Sequence, residues 1–222
     1  MKKINIAIDG PVASGKSTIA KLLAQKLEYI HVDTGAMYRC VALAALKNNI
    51  PLDDEQKLTE LTGTIRIELT TNGRVFCEGV DVTEAIRSNE VSKAASQVSA
   101  YLGVRQQLVK QQQNIALSKG IVMDGRDIGT VVLPDAEIKI FQTASVASRA
   151  NRRYQENLKK NIHSEYHDLV NEINRRDYAD THRKVSPLKK AEDAFEIDTS
   201  NMTIEEVVLR IEKLIKEVIQ DD

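Results

Sequence analysis

Short apolar runs recur along this 222-residue chain, and most are followed by a stretch with helical spacing. Residues 4–8, 29–33, 121–123, 138–141 and 195–198 read as short buried strands. Over 17–27 the apolar positions Ile19, Leu22, Leu23 and Leu27 fall on one helical face. A second helix begins at Thr34, runs through Val41, Leu43, Ala44 and Leu46, and stops before Pro51. The last helix opens with a capping box of Thr203 and Glu206. It carries a stripe of Ile204, Val207, Val208, Ile211, Leu214, Ile215, Val218 and Ile219. Strands alternating with helices predict an α/β fold with a doubly wound parallel sheet.

Residues 52–82 break that rhythm. After a short helix over 55–61, residues 65–69 alternate with period two, and Asn72-Gly73 separates them from Val75-Phe76-Cys77. This pattern predicts an antiparallel hairpin inside an α/β chain, hence an inserted subdomain. Helical segments are expected over 83–88, 91–100, 104–117 and 164–177, with Gln111-Gln112-Gln113 on a solvated face. His31, within an apolar run, reads as a core or edge histidine rather than a catalytic one.

Composition narrows the setting. The formal net charge is −1, so no global field recruits nucleic acid or an anionic membrane, and basic work must be local. Cys40 and Cys77 have no metal-ligand spacing and read as reduced packing residues. No apolar run approaches the ~20 residues of a membrane span, and the N-terminus lacks a secretory apolar segment. The expectation is a cytoplasmic monomer with neither nucleic acid nor membrane as partner.

The chemistry enters at Gly10-Pro11-Val12-Ala13-Ser14-Gly15-Lys16-Ser17-Thr18, between the first strand and the first helix. This is the pattern of a phosphate cradle. Loop and helix N–H groups favour an anion, Lys16 reaches the β- and γ-phosphates, and the Ser17 hydroxyl is placed to ligate Mg²⁺. The chain is expected to bind a nucleoside triphosphate. The guanine-reading Asn-Lys-x-Asp of a switch is missing from the sequence. Arg39, Arg105, Arg126, Arg149, Arg152, Arg153, Arg176 and Arg183 exceed what one triphosphate needs. Arg149, Arg152 and Arg153 share a helix face by their i, i+3, i+4 spacing. A small kinase with two phosphorylated ligands fits best. A kinase for another nucleotide or phosphorylated metabolite, or an ATP-sensing regulator, remains open on these residues alone.

The phosphate loop resembles that of the bacterial cytidylate kinase (CMP kinase) family, as do four further stretches. These are Asp33-Thr34-Gly35-Ala36-Met37-Tyr38-Arg39, Ala95-Ser96-Gln97-Val98 with Arg105, Asp124-Gly125-Arg126-Asp127-Ile128-Gly129-Thr130, and residues 176–183. The similarity spans essentially the whole chain, with Thr34 standing where some members have serine. It implies a nucleoside monophosphate kinase-like P-loop fold acting on ATP and CMP or dCMP with Mg²⁺. The implied layout is one kinase domain with core regions 1–38, 118–148 and 186–222, an NMP-binding insertion at 39–117 and a mobile lid at 149–185. The resemblance assigns Thr34, Arg39 and Arg126 to the CMP phosphate, and Ser96, Arg105 and Asp127 to cytosine. It gives Asp180 to the ribose, and Arg176 and Arg183 to the region between the nucleotides. Lys16, Arg126, Arg176 and the lid arginines Arg149, Arg152 and Arg153 are then the candidates for neutralising the transferred group. No general base is expected, because the attacking phosphate oxygen is already largely deprotonated near neutral pH.

Overall fold

The computed structural model describes residues 3–220. β1 (Asn5–Asp9) is wholly buried and runs through the glycine loop into α1 (Lys16–Leu27). That helix ends where Glu28 turns left-handed and its N–H reaches the Ala24 carbonyl. β2 (Ile30–Asp33) leads directly into α2 (Thr34–Lys47), whose first turn is capped by Asp33 accepting from Ala36 N. α3 (Glu55–Thr64), capped by Asp54, precedes a small antiparallel sheet of β3 (Ile67–Leu69), β4 (Val75–Cys77) and β5 (Val80–Asp81). Residues 85–87 make one 3₁₀ turn where a longer helix over 83–88 was expected. α4 (Asn89–Val98) and α5 (Leu102–Ala116) close the insertion. The remaining elements are β6 (Ile121–Gly125), a π-helical turn (Ile128–Val132), β7 (Ile138–Thr143), α6 (Val146–Lys159), α7 (Tyr166–His182), β8 (Phe195–Asp198) and α8 (Ile204–Gln220).

The main sheet has the order β2-β6-β1-β7-β8, with every pairing parallel. The chain leaves β1 toward β2 on one side and later adds β7 and β8 on the other. The crevice at the carboxyl end of β1 therefore falls beside the glycine loop, where ligands of such sheets bind. One face of the sheet packs against α1 and α8 around Ile6, Ile8, Leu23, Ile140 and Ile211. The insertion has its own core, in which Met37, Cys40 and Val41 of α2 meet Leu58, Val98 and Leu108. Both cysteines are free and buried there.

The structure corrects several sequence expectations. Strands 29–33 and 195–198 are the two edges of the sheet, so Ile30 and Phe195 are exposed and only Val32 and Ile197 are buried. Leu22 and Ile204 also face solvent, because their neighbours already fill the seam between α1 and α8. Gln112 is buried and donates to the Met37 sulfur, so the glutamine run is not uniformly solvated. The capping box forms as expected, with Thr203 and Glu206 exchanging hydrogen bonds. The Ile219 side chain of the predicted stripe lies outside the described residues.

Candidate active site

The glycine loop is shaped by close approach. Gly10 sits at φ +151°, and a Cβ there would stand 2.0 Å from the Gln142 carbonyl oxygen on β7. Gly15 at φ +92° turns the loop into α1. The Ser14 carbonyl accepts from Gln142 Nε2 (2.5 Å) and from Arg152 Nη1 (3.0 Å). Lys16 Nζ folds back to the Pro11 carbonyl at 2.7 Å. Burial, helped by the nearby Arg126 charge, brings the Lys16 pKa down to about 7. A cavity of about 350 Å³ opens beside the loop, lined by Gly15, Thr18, Arg152, Arg153, Arg176 and Met202 among others.

The strand ends converge as the sequence suggests. Ser17 Oγ donates to Asp124 Oδ2 (2.7 Å), and Thr34 Oγ1 donates to the Asp124 carbonyl (2.8 Å). The other Asp124 oxygen lies 2.7 Å from His31 Nε2. Burial raises the Asp124 pKa, but the His31 hydrogen bond and charge, the Ser17 hydroxyl and Lys16 outweigh it and hold the carboxyl below its ordinary value. Burial likewise opposes charge on His31, and Asp124 overcomes it, leaving the imidazole pKa raised.

A second cluster lies across the cleft. Asp127 is buried and ion-paired with Arg105, while Arg183 Nη2 stands 3.6 Å from its other oxygen. Arg105 also donates to the Ser99 carbonyl and stacks over Tyr38. Arg126 Nε pairs with Asp180 at 2.7 Å, and Arg39 with Asp33 at 2.9 Å. Arg39 Nε, Arg105 Nε, Arg183 Nη2 and the Tyr38 hydroxyl are buried with no hydrogen-bond partner among the described residues. Such unmet donors are rare in folded chains and mark a place built for an acceptor-rich ligand.

Two expected residues stand apart. Ser96 is half-buried within α4, and its carbonyl accepts from the Ser99 hydroxyl. Arg149 is buried with each of its three nitrogens engaged: Nε with the Ala144 carbonyl, Nη1 with the Val12 carbonyl, Nη2 with Asp177. It ties the phosphate loop to α6 and α7. Arg152, Arg153 and Arg176 all line the cavity, Arg152 while engaged with Ser14 and Thr199, and Arg176 with only a 3.6 Å approach to Glu172.

Residue-by-residue reading left Asp9, His31 and Asp124 without site roles, although an acid at the end of a core strand was a usable signal for Asp9 and Asp124. Asp9 accepts from Ile128 N (2.8 Å) and Gly129 N (2.7 Å), tying β1 to the loop that carries Arg126 and Asp127. Asp9→Ala leaves two buried N–H groups unmet, each costing about 1–3 kcal/mol. A fall in the urea midpoint is expected, and an unchanged midpoint would show that the loop holds without Asp9. Burial raises the Asp9 pKa from 3.8 to about 6. The folded chain thus binds a proton that the unfolded chain does not, and this group's contribution to stability falls as pH rises from about 4 to about 6.

A parallel sheet with a phosphate loop at its switch point, facing an arginine-lined acceptor cradle, defines a P-loop kinase. The family model "Cytidylate kinase" matches residues 6–217. A cytidylate kinase of Bacillus subtilis (strain 168) is 54% identical over 213 residues, 95% of each chain. One of Enterococcus faecalis (strain ATCC 700802 / V583) is 53% identical over 220 residues, covering 98% of this chain and 97% of its own. The chain belongs to the cytidylate kinase family. A solved gluconokinase from Sinorhizobium meliloti 1021 shares the fold at TM-score 0.50 and 12% identity, across 99% of this chain and 98% of its own.

Proposed function

We propose that this chain transfers the terminal phosphoryl group of ATP to CMP or dCMP, giving ADP and CDP or dCDP. The observation that carries the reading is Asp127, a buried acceptor flanked by Arg105 and Arg183 and separate from the phosphate loop. An exocyclic amine is the donor that such a carboxylate meets. Arg39, Arg126 and Thr34 bind the CMP phosphate, with guanidinium groups the natural bidentate partners for phosphate. Asp180 takes the ribose, and Ser96 is assigned to the base by the family resemblance alone. Residues 10–18 bind the ATP phosphates.

Mg²⁺ is the ion that suits this site. With its proton given to Asp124, the Ser17 hydroxyl keeps its lone pairs for a hard cation, which prefers oxygen donors. When bound with ATP, that ion supplies neutralisation of the β- and γ-phosphate charge. The protein contributes position and electrostatics. Lys16, Arg126, Arg153 and Arg176 converge where negative charge spreads over the transferred group. Arg149 and Arg152 hold the loop in shape.

Residues 149–185 act as the lid over the core regions 1–38, 118–148 and 186–222, with 39–117 as the monophosphate-binding insertion. The support is the thin cluster that seats α6 and α7, in which, among the described residues, Ala150, Leu169 and Ile173 are buried with Val12, Ala13, Val146, Tyr154 and Val170 partly buried around them. Elements held by so few apolar contacts open at low cost. Among the described residues no helix is long and apolar enough to cross a membrane. The cytoplasm suits a chain whose two cysteines are both free.

The test is an acceptor panel of CMP, dCMP, UMP and AMP with ATP, followed by ADP release. CMP and dCMP should exceed UMP and AMP in kcat/KM by roughly 10²-fold or more, the scale on which mispaired polar sites discriminate. Equal use of AMP would reassign the substrate. Slow ADP release indifferent to every acceptor would make the chain an ATP-binding regulator.

A further inference from the structure

His31 has no part in the scheme above, yet it touches the metal side of the site through one intermediary. A serine hydroxyl has a single proton and two lone pairs, so the direction of that proton decides what the oxygen can bind. Ser17 sends its proton to Asp124 Oδ2, which leaves the lone pairs for the cleft. This polarity holds only while Asp124 stays an acceptor in its present rotamer. A buried carboxylate short of hydrogen bonds turns toward other donors, and a rotated Asp124 would no longer take the Ser17 proton.

His31 supplies the bond that prevents this. It pairs in register with Val122, two residues before Asp124, so its side chain and the Asp124 side chain share one face of the sheet. From the edge strand it reaches Asp124 Oδ1 at 2.7 Å, and its ring is largely shielded from solvent. An ionised carboxylate only accepts, so Nε2 is the donor. The other charged groups around the imidazole are Asp33 on its own strand and Lys21 on α1. Neither takes the place of His31 against Asp124.

We infer that His31 is a positioning residue of the kinase reaction, holding Asp124 as the acceptor that turns the Ser17 lone pairs toward the metal of the ATP complex. This rests on the reading that Ser17 ligates the metal. His31→Phe removes the hydrogen bond and keeps a planar ring, and His31→Gln keeps an N–H donor. The measurement is ATP affinity by calorimetry with Mg²⁺ and with EDTA, alongside CMP affinity without ATP or metal.

The Mg²⁺-dependent gain in ATP affinity should shrink about 10-fold or more in His31→Phe, the scale seen when an outer partner of a metal ligand is lost. It should be largely restored in His31→Gln, with CMP affinity unchanged in both. Ser17→Ala separates the two readings. If Ser17→Ala keeps the full gain, the metal assignment itself is wrong. If Ser17→Ala loses the gain and His31→Phe keeps it, only the role of His31 fails. A glutamine variant as impaired as the phenylalanine one, or an equal loss of CMP affinity, would reduce His31 to a packing residue.

Discussion

Lys16→Met is expected to lower kcat by about 10²–10³-fold, the cost of removing one preorganised charge from a transition state. The methionine keeps the length and apolar body of the lysine in a buried position, so the fold should survive. What is lost is charge aimed at the transferred phosphoryl group. In the free chain that charge is held under strain, because burial has brought the Lys16 pKa down to about 7. The triphosphate is an opposite charge within reach and pushes the pKa back up. ATP binding above pH 7 should therefore take up a proton, seen as a binding enthalpy that varies with the ionisation enthalpy of the buffer. The methionine variant should lose that uptake. Near-normal turnover by a folded Lys16→Met chain would remove Lys16 from the chemistry.

Asp127→Asn should narrow the preference for CMP over UMP by roughly 1–3 kcal/mol, about 5- to 150-fold in the ratio of kcat/KM. The carboxylate accepts from the cytosine amine and faces uracil O4 with two acceptors opposed, whereas an amide can turn its NH₂ toward O4. Asp127 is also the counter-ion of Arg105 and lies close to Arg183. Asparagine is the better probe than alanine, because breaking a buried pair outright costs about 3–5 kcal/mol. Comparing two substrates on one enzyme cancels whatever structural damage remains. Arg126→Ala, by contrast, should weaken both substrates alike, since both carry the same phosphate. A variant that keeps the full CMP preference would move base reading to Ser96 and Arg105.

The contrast between Arg149 and Arg153 shows where sequence reasoning stops. Their spacing placed them on one face of α6, and so it does in the fold. Which of them meets the nucleotide depends on how α6 lies over the glycine loop, and there Arg149 is spent on Val12, Ala144 and Asp177. The family resemblance assigns Asp127 to the base. Its partnership with Arg105 spans 22 residues and was not legible in the sequence. His31 could be read as core or edge, but its link to Asp124 spans 93 residues and runs from one strand to the next.

The sequence alone determined whatever short-range physics decides: the glycine loop between strand and helix, the alternation that makes a parallel sheet, the hairpin at Asn72-Gly73, and the capping box of α8. These depend on backbone sterics and on neighbours within a turn, which a local pattern contains. Tertiary structure decided strand order, and with it that β2 and β8 are edges. It also decided which arginines are engaged by the protein and which buried donors go unmet, and that Asp9, His31 and Asp124 tie the strand ends together. Those outcomes depend on packing between segments far apart in the chain. A side chain's partner there is set by which strand lies next to its own, and no local pattern records that.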